Sequence, residues 1–173
     1  MKPTPNPEII PERQHKQEAT QNAQLIVFKL GGEDYALEIS QIKEVVPTPN
    51  IAKVPLTPAF VEGVANIRGN ILAIVNLEKK FGLPVSENSG KSTYTLVIES
   101  DEVQVGFLVH EVPNTLSIPL GDIDESPLVI QESAQEKGYI KGIVKSSNRL
   151  IILLDLPNII SKNDIQSAVN AGR

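Results

Sequence analysis

Chemistry needs reactive side chains within reach of one another, and this 173-residue chain offers few. It has two histidines, His15 and His110, and no cysteine, so the His and Cys ligand sets that hold zinc cannot be assembled. Asp122, Asp124 and Glu125 make half of a calcium loop. They lack its glycine and its distal bidentate glutamate, and a solvated acidic loop is the expectation. No phosphate-cradling glycine loop, nucleophile elbow or HExxH pattern occurs. No enzymatic activity, no metal and no cofactor are therefore expected. What stands out is a single charge: Arg68 is the only charged residue between Gly63 and Glu78. A guanidinium among apolar runs must reach solvent or find a carboxylate, because burying it alone is prohibitive. The chemistry open to it is ion pairing and recognition.

The elements around Arg68 read as strands. Apolar runs at residues 64–67 and 71–77 flank Arg68-Gly69-Asn70, and Gly69-Asn70 signals a hairpin because both residues tolerate positive φ. Residues 71–75 are continuously apolar, so both faces of that strand should meet packed neighbours. Upstream, residues 25–30 and 35–39 form a second hairpin about a turn at 31–34. Residues 40–46 read as a turn and then a strand, stopped by Pro47 and Pro49. A proline-punctuated connector follows, in which Thr57 is placed to cap a one-turn helix with Pro58 at its first position. Residues 78–81 suit a short helix closed by Gly82 and Pro84, and 86–92 a polar linker.

The second half repeats this order. Residues 94–99 and 103–109 form a hairpin about a turn at 100–102, residues 112–119 a bent strand, and residues 139–144 and 150–156 a hairpin about Ser146 to Arg149. A repeat of about 75 residues built from short strands implies two similar small barrels, since closure removes free edges. Each is marginal alone at this size, so the two should pack together and leave a groove at the join. Pro157 opens a C-terminal helix over residues 157–171 with Ile159, Ile160, Ile165 and Val169 on one face. Residues 1–23, with Pro3, Pro5, Pro7 and Pro11 among polar side chains, read as a disordered tail.

Composition narrows the function classes. Lys and Arg total 16 against 21 Asp and Glu, a net charge of −5, with no basic cluster, which argues against phosphate-driven nucleic-acid binding. Three Tyr, four Phe and no Trp are too few for a base-stacking platform. The absence of cysteine fits a reducing cytoplasm. The first residues lack a secretory h-region, and no run of apolar residues is long enough to insert in a membrane.

The phrase Gly63-Val64-Ala65-Asn66-Ile67-Arg68-Gly69 is preceded by Thr57-Pro58-Ala59-Phe60 and followed by Ile74-Val75-Asn76-Leu77 and Phe81-Gly82. It resembles the CheW-like coupling proteins of bacterial chemotaxis, over some twenty-five positions at its tightest and from about residue 24 to 160 in all. The resemblance implies a mainly β fold of two interlocked five-stranded SH3-like barrels with short helices. A CheW-like domain would span residues 24–172, with a first barrel over about 24–85 that exchanges elements with a second over about 92–156. It also implies a non-catalytic, cytoplasmic adaptor recruited to membrane receptor arrays. Such an adaptor joins the cytoplasmic tip of a methyl-accepting chemoreceptor to the regulatory domain of a histidine kinase, in chemotaxis or a related taxis or pilus-motility system, with no nucleic acid and no membrane insertion.

Carried over by position, the receptor groove would contain Ile39, Ile42, Glu44, Gly63, Arg68, Val105, Gly106 and Val112. Ile39, Ile42 and Val112 would be apolar anchors, and Glu44 and Arg68 would pair across the hairpins. Three positions depart from the family pattern: Ala73 stands for proline, Asn76 for aspartate and His110 for aspartate. Ala73 should let an edge strand pair more regularly, and Asn76 removes one possible carboxylate partner of Arg68. His110 is expected to be an ordinary strand-end histidine. The chain's end at Arg173 speaks against a fused receiver domain. The competing class is a small β-barrel ligand-binding protein or enzyme of unidentified substrate.

Overall fold

Three hairpins turn on two residues that both have positive φ. Gly31 and Gly32 lie at 58° and 87°, Arg68 and Gly69 at 52° and 86°, and Ser147 and Asn148 at 47° and 63°. These are the primed turns whose twist matches that of the flanking strands. The computed structural model describes residues 21–85, 92–99, 104–125 and 138–159. In it the central turn sits one residue earlier than Gly69-Asn70, because Ile67 pairs directly with Asn70. Register decides this, as a slip of one residue would turn Ala65, Ile67, Leu72 and Ile74 away from the apolar cluster they share. Asn66 Oδ1 also accepts the Gly69 N–H at 3.0 Å.

The strands are β1 (Asn22–Leu30), β2 (Glu33–Glu38), β3 (Ile42–Pro47), β4 (Val61–Ile67), β5 (Asn70–Val75), β6 (Tyr94–Glu99), β7 (Gln104–Val109), β8 (Asn114–Pro119), β9 (Ile123–Asp124), β10 (Ile140–Ser146) and β11 (Arg149–Leu154). Two sheets result, one ordered β8-β1-β2-β11-β10-β9 and the other β3-β6-β7-β5-β4. Each half lends its leading hairpin to the sheet completed by the other half. Where the lent strand meets its host, the pairing is parallel, β2 with β11 and β5 with β7. The two orders correspond strand for strand, and the two-residue β9 beside β10 matches the isolated bridge between Ala52 and Val64 beside β4.

Continuous apolar runs follow from this layering. In β1 alternate residues face opposite ways: Leu25 and Val27 enter one cluster, while Ile26, Phe28 and Leu30 enter another. In β5 Leu72 and Ile74 line a third cluster, and Ala73 and Val75 join the core that also holds Ile26, Phe28, Leu96 and Phe107 from both sheets. That shared core is the join between the sheets. Each large side chain buried in it contributes about 1.5–3 kcal/mol by transfer from water.

Several local expectations are corrected. β1 begins at Asn22, inside the stretch assigned to the tail. Thr57 caps no helix: its Oγ1 donates to the Val54 carbonyl at 3.0 Å, and Val61 N–H to the Pro58 carbonyl at 3.0 Å, forming turns. Ala73 lies in β5, an interior strand between β4 and β7, and not on an edge. The short helix does form, as α1 (Leu77–Phe81). Asn76 Oδ1 accepts the Lys79 N–H at its start, and Gly82 at φ 69° closes it. A second short helix, α2 (Leu156–Ile159), follows β11. The remainder of the C-terminal helix, the linker at 86–91, the turn at 100–102 and the tail to residue 20 lie outside the described residues.

Candidate partner-binding site

Arg68 occupies the first position of the β4–β5 turn in a left-handed conformation, with its side chain 72% exposed. Its Nε donates to Glu44 Oε2 at 2.7 Å. Glu44 belongs to β3, at the opposite edge of the sheet from β4. The sheet is therefore curled so that a side chain from its β4–β5 turn reaches its first strand, as in a barrel. The pair sits at the mouth of the third apolar cluster, beside Lys43, Ile67, Leu72, Val97 and Gln104, where the depression holds only about 20 Å³. A depression of this size is far smaller than small-molecule pockets, which run to several hundred Å³. Just past the turn, Ile71 is exposed.

The eight residues expected in one groove do not form one. Glu44 pairs with Val97, Val97 with Gly106, Gly106 with Ile74, and Ile74 with Gly63, a single row across all five strands. Paired residues share a face, so Glu44, Gly106 and Gly63 belong to the barrel-interior side. Val105, next to Gly106, must point the other way, and it is fully buried in the join between the sheets. Ile39 and Ile42 are half-buried against that same core. The two glycines have packing roles. A Cβ on Gly106 would stand 2.5 Å from Thr95 Cγ2, and one on Gly63, at φ 147°, would stand 2.2 Å from the Ala52 carbonyl oxygen.

Val112 lies elsewhere, 61% exposed beside a larger cavity of about 240 Å³. Val27, Phe28, Lys29, Asp34, Glu111, Asn114 and Arg149 complete its lining. A second guanidinium stands here: Arg149, just after the β10–β11 turn, donates from Nε to Asp34 Oδ2 at 3.1 Å with Nη2 3.0 Å from the same oxygen, an ion pair between the adjacent strands β11 and β2. Leu150 beside it is exposed, as Ile71 is near Arg68. Sequence reasoning missed Arg149 and Asp34. The available signal was the repeated hairpin, which carries an arginine at each turn.

Asn76 is buried and remote from Arg68, at the far end of β5, so it bears on capping and not on Arg68. Its Nδ2 donates to Glu62 Oε1 at 3.0 Å, and Lys79 Nζ reaches the same oxygen at 2.7 Å. Burial pushes the Glu62 carboxyl up. Hydrogen bonds from Lys79 and Asn76, with the charges of Lys79 and Lys53, outweigh that and hold it below the usual carboxylate range. Lys141 is shifted up, chiefly by its hydrogen bond to Glu38. Among the described residues no cluster of His, Cys, Asp or Glu is placed to hold a metal ion, and no helix is long and apolar enough to cross a membrane.

Residues 24–164 match the model of the CheW-like domain. The chain belongs to the CheW-like family. It is 34% identical over 140 residues to the chemotaxis protein CheW of Helicobacter pylori, covering 81% of this chain and 82% of that one. It is 33% identical over 152 residues to the chemotaxis protein CheW of Thermotoga maritima, covering 88% and 97%. The crystal structure of the scaffolding protein TtCheW from Thermoanaerobacter tengcongensis superposes with a TM-score of 0.71 at 29% identity, covering 83% of this chain and 91% of that one. The CheW-like match spans both sheets, so the exchanged hairpins and the Arg68 turn lie inside it.

Proposed function

We propose that this chain is a non-catalytic signalling adaptor that couples membrane chemoreceptors to a histidine kinase in bacterial chemotaxis or a related taxis or pilus-motility array. Membership of the CheW-like family supports the class. The observation that carries the reading is the Arg68 guanidinium, held by Glu44 and yet largely in solvent at the mouth of a curled sheet. An exposed pair of this kind adds only about 0–1 kcal/mol to folding, so its value lies in recognition.

The receptor tip, a helical hairpin, would lie against this rim. Aliphatic contacts supply affinity, and rim charges fix register. Ile71 is the exposed apolar residue on this rim suited to the contact, and Val112, beside the separate cavity, offers a second point of contact. Ile39, Ile42 and Val105 act from beneath, by setting the packing of the strands that carry Glu44 and Gly106. The kinase regulatory domain takes a second surface, and the adaptor works in the cytoplasm within a receptor array.

Charge reversal at Arg68 tests this. Arg68→Glu should abolish binding to a soluble receptor-tip hairpin while circular dichroism, thermal midpoint and binding to the kinase regulatory domain persist. Unchanged receptor binding by a folded Arg68→Glu protein would refute the assignment.

A further inference from the structure

Glu78 is an acidic residue on α1 with a side chain only 1% exposed, a position a carboxylate keeps only with close partners. Its Oε2 accepts the Gly31 N–H at 2.8 Å, and its Oε1 lies 3.1 Å from His110 Nε2. Three elements meet at this carboxylate: helix α1, the turn of the lent β1–β2 hairpin, and the end of β7. The other ring nitrogen, His110 Nδ1, is buried with no hydrogen-bond partner. A neutral ring donating from Nε2 wastes a lone pair there, and a charged ring wastes an N–H. An apolar residue would avoid that loss, so the link to Glu78 is what the ring contributes.

From His110 the chain rounds a corner through Glu111, Val112 and Pro113 before β8 begins at Asn114, which pairs with Val27 of β1. Glu111 and Val112 are the exposed residues of this corner, and both line the 240 Å³ cavity opposite Lys29, Asp34 and Arg149. The corner is held by the β1–β8 ladder after it, by the β6–β7 ladder that ends at Val109 opposite Tyr94 before it, and between them by the His110–Glu78 contact. Pro113 has no N–H with which to add a further hold.

We infer that His110 is a positioning residue, whose clasp on the buried Glu78 carboxylate sets the corner that offers Glu111 and Val112 to a docking helix. The inference rests on the receptor reading above and deepens it. The occupant is a receptor-tip helix that lays an aliphatic side chain against Val112 at the edge of the cavity, whose lining of Lys29, Asp34, Glu111, Asn114 and Arg149 is mostly polar. Lys29 and Glu111, exposed on the rim and in no ion pair among the described residues, suit a helix with an acidic and a basic side chain flanking that aliphatic one.

The test compares the full chain with His110→Ala, His110→Asn and His110→Gln. Affinity for a soluble receptor-tip hairpin is read by calorimetry, and amide hydrogen exchange is read at Val112 and Asn114. Gln can bring its Nε2 to the Glu78 carboxylate, whereas Asn is too short. His110→Ala and His110→Asn should weaken receptor binding about tenfold or more and speed exchange at the corner but not in β10 and β11, with His110→Gln restoring both to within about threefold. Should the alanine variant fail to fold, the Asn and Gln pair carries the comparison. Wild-type affinity and exchange in His110→Asn would overturn the inference. So would a loss that follows the thermal midpoint and is not restored by Gln. A wild-type chain that binds no receptor hairpin would sink the receptor reading, while corner exchange would still decide the clasp.

Discussion

Arg68 Nε lies 2.7 Å from Glu44 Oε2 although the two residues belong to the opposite ends of a five-stranded sheet. The contact joins the first strand of that order to the turn between its last two, so one ion pair reports both the curl of the sheet and the aim of the guanidinium. Its exposure means that little folding energy is at stake. Arg68 also takes a left-handed conformation that glycine adopts freely. Replacing Arg68 with Gly therefore removes a weak pair and relieves backbone strain together. The expected change in unfolding free energy is within about 0.5 kcal/mol by denaturant titration, with receptor binding lost all the same.

The two glycines of the cross-strand row should behave in the opposite way. Gly106→Ala brings a methyl group to 2.5 Å from Thr95 Cγ2 and 2.8 Å from Ile74 Cδ1, flexible side-chain ends that can shift. Its expected cost is about 1–3 kcal/mol. Gly63→Ala collides with a carbonyl oxygen at 2.2 Å at a φ of 147°, in backbone that cannot easily give. It should cost about 3 kcal/mol or more, or prevent folding. Urea midpoints of the two variants, with Gly63→Ala the lower, check the ordering.

Leu56 is wholly exposed and holds φ 62°, a conformation unfavourable for a branched side chain. Leu56→Gly gives up no buried area and removes the strain. It should raise the unfolding free energy by up to about 1 kcal/mol, seen as a higher denaturant midpoint at unchanged m-value. A lower midpoint would show that the side chain is supported by a contact.

Acid stability should depend on Glu62. Its carboxyl titrates below the ordinary value of 4.5 in the folded protein, so the unfolded chain takes up protons first as pH falls. The stability it contributes is present above the unfolded value and is lost as pH falls through the folded one. Glu62→Gln should flatten the loss of stability below about pH 4.5, measured by urea unfolding across pH 3–6, while leaving its slope above pH 6 unchanged. Equal acid sensitivity in both proteins would contradict the Lys79–Glu62–Asn76 network.

Much of the architecture is legible in the residues, for a clear reason. Runs such as those at 25–30 and 71–75 are apolar on both faces because each strand lies between two clusters, and the repeat of hairpin, strand and hairpin is visible in the turn residues. Which partner each hairpin takes is less accessible: pairing of β2 with β11 and of β5 with β7 joins residues far apart in sequence, and local patterns carry no record of it. The site shows the same division. Arg68 was visible as a lone charge, and Glu44 as its partner by family likeness. Val105 and Gly106 enter one groove by family likeness, yet as neighbours in a strand they face opposite ways. Arg149, Asp34 and the Glu78–His110 contact depend on folding distant segments together.

The most direct measurement is assembly of the full chain with a soluble receptor-tip hairpin and the kinase regulatory domain, followed by size-exclusion chromatography with mass determination. The account predicts one complex containing all three components, which Arg68→Glu reduces to chain and kinase domain alone. Competition between the two partners for the chain, or a wild-type chain that joins neither, would contradict it.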